Sequence, residues 1–167
     1  MGVCLSCVRD SEERQLLEVN YKTVPKFSLN GSTMLGVVVD CYDGDTCTIA
    51  MMFHAEILTF RCRLLGIDTP ELATQNTKRE GLLARNALIN MVSVQAFSDV
   101  NASREDVRKH LQVHRRLMKV ECGDWDKYGR LLVTLYVHDG TNRRGSSCNQ
   151  KLIDGGFAKE YDGGRKV

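Results

Sequence analysis

The chain has 167 residues, a formal net charge of +2 and 43% hydrophobic residues. That is enough to bury the core of one domain, and too near neutrality for whole-molecule charge to identify a polyanionic partner. Seven cysteines, an odd number without a repeating spacing, exclude a simple disulfide framework and argue for reduced thiols inside a cell.

The chain opens Met1-Gly2-Val3-Cys4-Leu5-Ser6-Cys7. Gly2 with Ser6 fits N-myristoylation after removal of the initiator methionine, and Cys4 and Cys7 are candidate palmitoylation sites. One myristoyl chain binds a bilayer with an association constant on the order of 10⁴ M⁻¹, so stable anchoring needs the second signal. A polybasic patch does not supply it, because Arg9, Arg14, Lys22 and Lys26 are balanced by Asp10, Glu12, Glu13 and Glu18. The competing readings are a structural or redox Cys-x-x-Cys, a metal-binding pair, and a terminus that merely starts Met-Gly. Metal ranks lowest, since no second Cys or His pair stands at a suitable spacing. The expectation is dual acylation in a eukaryotic host, which places the protein inside the cell on the cytoplasmic face of a membrane. Without acylation it is cytoplasmic. The N-terminus lacks the order of an export signal, and no run approaches the roughly 20 apolar residues that span a bilayer.

Residues 10–32 read as a tether with one short helix, for Asp10 followed by Glu13 resembles a capping box and Pro25 stops any continuation. Alternating apolar residues then predict strands over 34–41, 45–53 and 57–65, an antiparallel meander. Asp43-Gly44-Asp45-Thr46 joins the first two, and Asp-Gly at such a junction is a hairpin signal. The third strand runs through Arg63 into Gly66-Ile67-Asp68-Thr69-Pro70-Glu71, where Pro70 biases Thr69 away from helix and removes a backbone donor. A hairpin returns the chain to its start, so Asp45 and the bend carrying Asp68 and Glu71 are expected to converge. Converging carboxylates repel unless a cation joins them, and an all-oxygen set suits calcium, with magnesium also admitted. Either turn alone reads as an ordinary turn former. Together, with Arg63 between them, they point to a metal-and-phosphate site.

A helix is predicted over 78–92, with Leu82, Leu83, Ala87, Leu88, Met91 and Val92 mostly on one face as plain core. Within 93–116, Ser103 followed by Asp106 marks a second helix start. Arg104, Arg108 and Arg115 share one face of it, either solvated or in contact with phosphate near the active site. Val107, Leu111, His114 and Met118 share another. His110 and His114 have metal-compatible spacing but no completing partner, and read as packing residues. Strands follow over 117–122 and 131–137, then a short helix opened by Ser147 and ended by Gly155-Gly156. Five short strands capped by helices predict a β-rich α+β fold, a five-stranded OB-fold-type β-barrel with an N-terminal tether. The tether is residues 1–33 and the domain residues 34–167.

Tyr42-Asp43-Gly44-Asp45-Thr46, then Arg63-Leu64-Leu65-Gly66-Ile67-Asp68-Thr69-Pro70-Glu71, then Asp126-Lys127-Tyr128-Gly129-Arg130 occur in that order. This order resembles the staphylococcal nuclease family over roughly residues 34–161, and the resemblance implies the same barrel. It further implies that Asp45, Asp68 and Thr69 are calcium-ligand positions and that Glu71 is the general base. Arg63 and Arg130 match the catalytic arginines, and Lys127 and Tyr128 the contacts to the terminal nucleotide. Tyr161 matches a second base-stacking tyrosine, and Asp43 reads as a partner of the ligands. Against the bacterial members, the 93–116 connection is an insertion, and a further C-terminal helix has no counterpart before the sequence stops.

Phosphodiester cleavage needs a nucleophilic water, a cation on the phosphoryl oxygen and donors for the charge that grows in the transition state. The sequence offers a candidate for each, so a metal-dependent phosphodiesterase is expected, and the resemblance implies calcium-dependent hydrolysis of DNA and RNA with little sequence specificity that leaves 3′-phosphates. The alternative is a catalytically inactive OB-fold module that binds nucleic acid or protein. Three carboxylates beside a phosphate site weigh against it, because without metal they repel the ligand. Oligomeric state is not legible.

Overall fold

The computed structural model describes residues 12–140 and 145–162. Gly2, Cys4 and Cys7 lie outside them. Strands β1 (Thr33–Cys41), β2 (Thr46–Phe53) and β3 (Glu56–Leu64) form the expected meander. With β5 (Leu117–Trp125) and β6 (Leu131–Val137) they close a barrel in the order β1-β2-β3-β6-β5. Every pairing is antiparallel except β3 with β6, which brings the end of β3 alongside the start of β6. The two-residue strands β4 (Ile67–Asp68) and β7 (Lys159–Glu160) pair outside the barrel. Helices α1 (Lys78–Val92), α2 (Arg104–Val113) and α3 (Cys148–Asp154) cap it, and residues 12–17 are helical ahead of it. This is the expected OB-type α+β architecture. Among the described residues, no helix is long and apolar enough to cross a membrane.

Period-two alternation puts Cys47, Ile49 and Met51 of β2 and Val120 and Cys122 of β5 into the barrel. β1 breaks its own alternation. Val38 pairs with Ile49 but Asp40 with Thr48, so Val39 is an extra residue that shifts the register. The shift turns Cys41 inward and leaves Asp40, which an unbroken strand would aim at the core, on the outer face beneath α2. Cys41, Cys47 and Cys62 are register partners across three strands, and all five described cysteines are buried and free. Burial pushes the Cys62 thiol up to about 12 and Cys148 up to about 11. These thiols are core packing, unreactive at neutral pH.

Helix α1 has its predicted bounds and buries the expected Leu88 and Val92, with Ala87 and Met91 packed against the core, but also Gly81, Ala84, Arg85 and Ile89. Leu83 is exposed. The buried face is built for close approach. A Cβ on Gly81 would stand 2.5 Å from the Pro70 carbonyl oxygen, and a Cβ on Gly44 would stand 2.6 Å from the Ala84 Cβ. The helix therefore presses on both acidic turns at once.

The connection over residues 93–116 is tied down along its length. Asn86 and Asn90 bond the Phe97 backbone, the buried Arg85 guanidinium donates to the Ala102 carbonyl, and Ser93 forms a backbone bridge with Arg115. Ser103 caps α2 by accepting from the Asp106 N–H, as expected. Val107 and Leu111 are buried, and His110 stacks between Phe97 and His114. The barrel also reaches into the expected tether: Leu29 is 5% exposed within the core, and the Gly31 N–H donates to the Cys122 carbonyl.

Candidate active site

The β1–β2 turn is organised by Asp43, whose Oδ1 accepts from the N–H groups of Asp45 (3.0 Å) and Thr46 (2.7 Å). This orients Asp45 at the head of β2, where its carboxylate is almost wholly buried. Thr46 pairs in register with Arg63 at the end of β3, and Arg63 sits beside Leu132 of β6, two residues past Arg130. Three neighbouring strands thus deliver Asp45, Arg63 and Arg130 to one rim. The β4 bend completes it: β7 pairs with Ile67 and Asp68, and the Tyr161 N–H donates to the Gly66 carbonyl.

Arg63 is the centre of the arrangement. Its Nη1 donates to Asp45 Oδ1 at 2.9 Å, and its Nη2 donates to Asp68 Oδ1 at 2.9 Å and to the Ile67 carbonyl at 3.2 Å. The two acidic turns converge on this guanidinium. The Thr69 N–H donates to Asp45 Oδ2 at 3.3 Å, and the Thr46 hydroxyl donates to Asp45 Oδ1. The Tyr161 ring lies 5.8 Å from the Arg63 guanidinium. Arg130 donates from Nη1 to the Thr46 hydroxyl at 3.2 Å and from Nε to Asp126 Oδ2 at 2.7 Å. Tyr128 is exposed, with the Lys127 ammonium 5.1 Å and the Arg130 guanidinium 5.4 Å from its ring.

Burial, with the nearby Asp43 charge, pushes the Asp45 carboxyl up to about 7 despite Arg63. A buried carboxylate so incompletely compensated gains from a further cation. By donor chemistry, the carboxylates of Asp45 and Asp68, which the Arg63 guanidinium brings together, are of the type that suits a hard divalent ion. The expected convergence of three carboxylates is not formed. Among the described residues, no three acidic, histidine or cysteine side chains assemble into a metal-binding group. The physical reason is that Arg63 supplies the positive charge between Asp45 and Asp68. Glu71 lies exposed past Pro70, with its carbonyl bonded by the Thr77 hydroxyl.

Three residues of this region carry no role in the sequence reading. Asp126 accepts from the Tyr128 and Arg130 N–H groups as well as from the Arg130 side chain. Although burial raises the Asp126 carboxyl, these donors hold it below the usual range. Its signal was available as the Asp that opens an Asx-type turn. Thr46 links Asp45 to Arg130, and its place after Asp45 was the only hint. Asn149, buried in α3, accepts from the Leu135 N–H and donates to the Leu65 and Val133 carbonyls. It holds the chain that leads into the Asp68 bend, and no local pattern announces it.

The barrel, its capping helices and a rim of paired acids and guanidiniums define an OB-type α+β domain with a site suited to a cation and a phosphate. Residues 61–166 match the family described as staphylococcal nuclease homologue, and the chain belongs to that family. It is also similar to an uncharacterized protein of Methanocaldococcus jannaschii, with 26% identity over 129 residues, 75% of this chain and 58% of that protein. The chain thus spans less than two thirds of that relative's length.

Proposed function

We propose that the protein is a calcium-dependent nuclease that hydrolyses DNA and RNA with little sequence specificity and leaves 3′-phosphates. The family is of the nuclease type. The observation that carries the reading is the Arg63 clamp on Asp45 and Asp68, with Arg130 one strand away on Thr46. A bare binding module has no use for two partly buried acids held at the mouth of a phosphate site.

Asp45, Asp68 and the Thr69 carbonyl would hold the ion, which when bound polarises a phosphoryl oxygen and acidifies water. Glu71 takes the proton from the attacking water as the new phosphorus–oxygen bond forms; the bond to the 5′-oxygen breaks, and that oxygen takes a proton from solvent water, giving a 3′-phosphate and a 5′-hydroxyl. Arg63 and Arg130 offer planar forks that grip phosphoryl oxygens as their charge grows. Asp126 fixes the Arg130 fork before substrate arrives. Lys127, Tyr128 and Tyr161 flank the site, where a cation on phosphate and rings against bases give affinity without reading sequence.

The test is digestion of single-stranded DNA and of RNA with calcium, with magnesium and with a chelator. Cutting with calcium, none with chelator, and 3′-phosphate ends are expected. No cutting under any condition would favour the binding module instead. We also propose that Gly2, Cys4 and Cys7 carry acyl chains that place the enzyme on the cytoplasmic face of a membrane.

A further inference from the structure

Helix α2 carries Arg104 and Arg108 one turn apart, and Arg115 follows its end. Arg104 donates through Nε and Nη2, and Arg108 through Nη2, to one oxygen, Asp40 Oδ2. Two guanidiniums against one carboxylate leave one positive charge, and Arg115 adds a second. All three arginines line a groove of about 400 Å³ between α2 and the outer face of β1–β2, together with Thr48 and Gln112.

This groove differs from an ordinary solvated helix face in three respects. First, the arginines are preorganised. The β1 bulge turns Asp40 outward, and its buried carboxylate holds together two guanidiniums that would otherwise repel, each still about half exposed. Side-chain freedom is lost on folding, so less remains to be lost on binding. Second, a guanidinium has five N–H donors, and Asp40 takes two from Arg104 and one from Arg108. The rest can meet an anion. A helical rise of about 1.5 Å per residue sets the two Cα atoms about 6 Å apart along the axis, but both guanidiniums converge on Asp40 Oδ2, so the pair presents its remaining donors to a single phosphate, and Arg115 to another. Third, the groove adjoins the active site. The Arg104 guanidinium lies 5.4 Å from the ring of Tyr42, which is 47% exposed and immediately precedes Asp43.

We propose that this groove is a second binding track for a single-stranded polynucleotide. Two successive backbone phosphates beyond the scissile one meet the Arg104–Arg108 pair and Arg115, and Tyr42 stacks a base where the strand leaves the catalytic turns. The proposal rests on the nuclease reading for its ligand. It favours a strand over an anionic membrane because the arginines line a concavity, with the exposed Tyr42 ring beside Arg104.

The test is fluorescence anisotropy of a labelled single strand of about 20 nucleotides with the full chain, titrated with salt in chelator so that the strand stays intact. Each phosphate contact to a single strand contributes about 0.7 to the slope of log affinity against log salt. Arg104→Gln with Arg108→Gln and Arg115→Gln should lower the slope by about 1.4, which is about 25-fold weaker binding at about 0.1 M salt. Because Arg104 and Arg108 also hold α2 to Asp40, Arg115→Gln alone is the second variant, with an expected loss of about 0.7. Affinity for thymidine 3′,5′-bisphosphate with calcium, a probe of one nucleotide and so too short to span the groove as well as the rim, should not follow the slope. Unchanged slopes in both variants, or equal losses for strand and bisphosphate, overturn the proposal. So does a variant that loses binding to phosphatidylserine vesicles while keeping its strand slope. The salt slope is read without cleavage, so failure of the nuclease reading, seen as no cutting with any ion, is a separate result.

Discussion

Arg63 and Arg130 both work through geometry, and their surroundings say what each loses on substitution. Arg63 uses two different nitrogens on two different carboxylates, which a lysine cannot reproduce from one point charge. Arg63→Lys is therefore expected to lose turnover by about 10²–10³-fold, the usual scale for removing one preorganised donor from a transition state. A fully active lysine variant would show that charge alone suffices. Asp126 is a positioning residue for Arg130, so Asp126→Asn should lower kcat by up to about 10²-fold, the cost of a misplaced group. Calcium affinity, read by calorimetry, should stay unchanged, because Asp126 bonds only the Arg130 turn. Loss of calcium binding in that variant would mean that Asp126 supports the metal turns as well. Glu71→Gln should keep calcium affinity and lose about 10²–10⁴-fold in turnover, the worth of one proton-transfer role; intact turnover at saturating calcium would remove it from that role.

The elements divide into those that sequence periodicity specifies and those that tertiary contact specifies. β1, β2, β3, α1 and the Ser103 cap were legible because alternation, helical spacing and capping chemistry are local. The Val39 bulge was not, since alternation is read along one strand while a bulge is defined against its partner. For the same reason the buried face of α1 was legible only in part: Leu88 and Val92 follow apolar spacing, whereas the small residues Gly81 and Ala84 are selected by the turns they touch. Gly81→Ala tests this. Helix propensity alone would make it stabilising by about 1 kcal/mol, whereas crowding against the Pro70 backbone costs about 1–3 kcal/mol. Net destabilisation in chemical denaturation is expected, and a stabilised variant would mean that the helix does not press on the bend. Asp40 makes a pH prediction for α2. Burial raises its carboxyl, but Arg104 and Arg108 together hold it below the ordinary value of 3.8. The stability it contributes is thus fully present above that value and is lost as pH falls through the lower folded value. In thermal melts, the gap between wild type and Asp40→Asn should be constant from about pH 7 to about pH 4 and shrink below it. A gap that already closes between about pH 7 and about pH 5 would count against the ion pairs as its source.

At the scale of the whole molecule, the question is where the catalytic domain stops and the address begins. Sequence pattern put the border at residue 34, because strand alternation starts there. Leu29 has no periodic neighbours to reveal it, yet it is buried in the core, and the Gly31 N–H and Ser32 carbonyl both bond Cys122 of β5. Two truncations should therefore differ. Removal of residues 1–26 leaves Leu29 in place and should keep nuclease activity and most of the stability. Removal of residues 1–33 empties the Leu29 site, which by analogy with a large-to-small core change costs about 2–5 kcal/mol, a large part of the stability of a domain this size. The same border divides the residues proposed for catalysis from those proposed for membrane attachment. In eukaryotic cells the intact chain should fractionate with membranes, Gly2→Ala should release it, and Cys4→Ser with Cys7→Ser should leave only weak, reversible attachment, because one acyl chain binds marginally. Specific activity of the purified variants should match wild type, since none of these residues belongs to the rim that holds Asp45, Arg63 and Arg130. An intact chain found wholly in the soluble fraction, with an unmodified Gly2 by mass spectrometry, would remove the anchor and leave the catalytic reading standing on the rim alone.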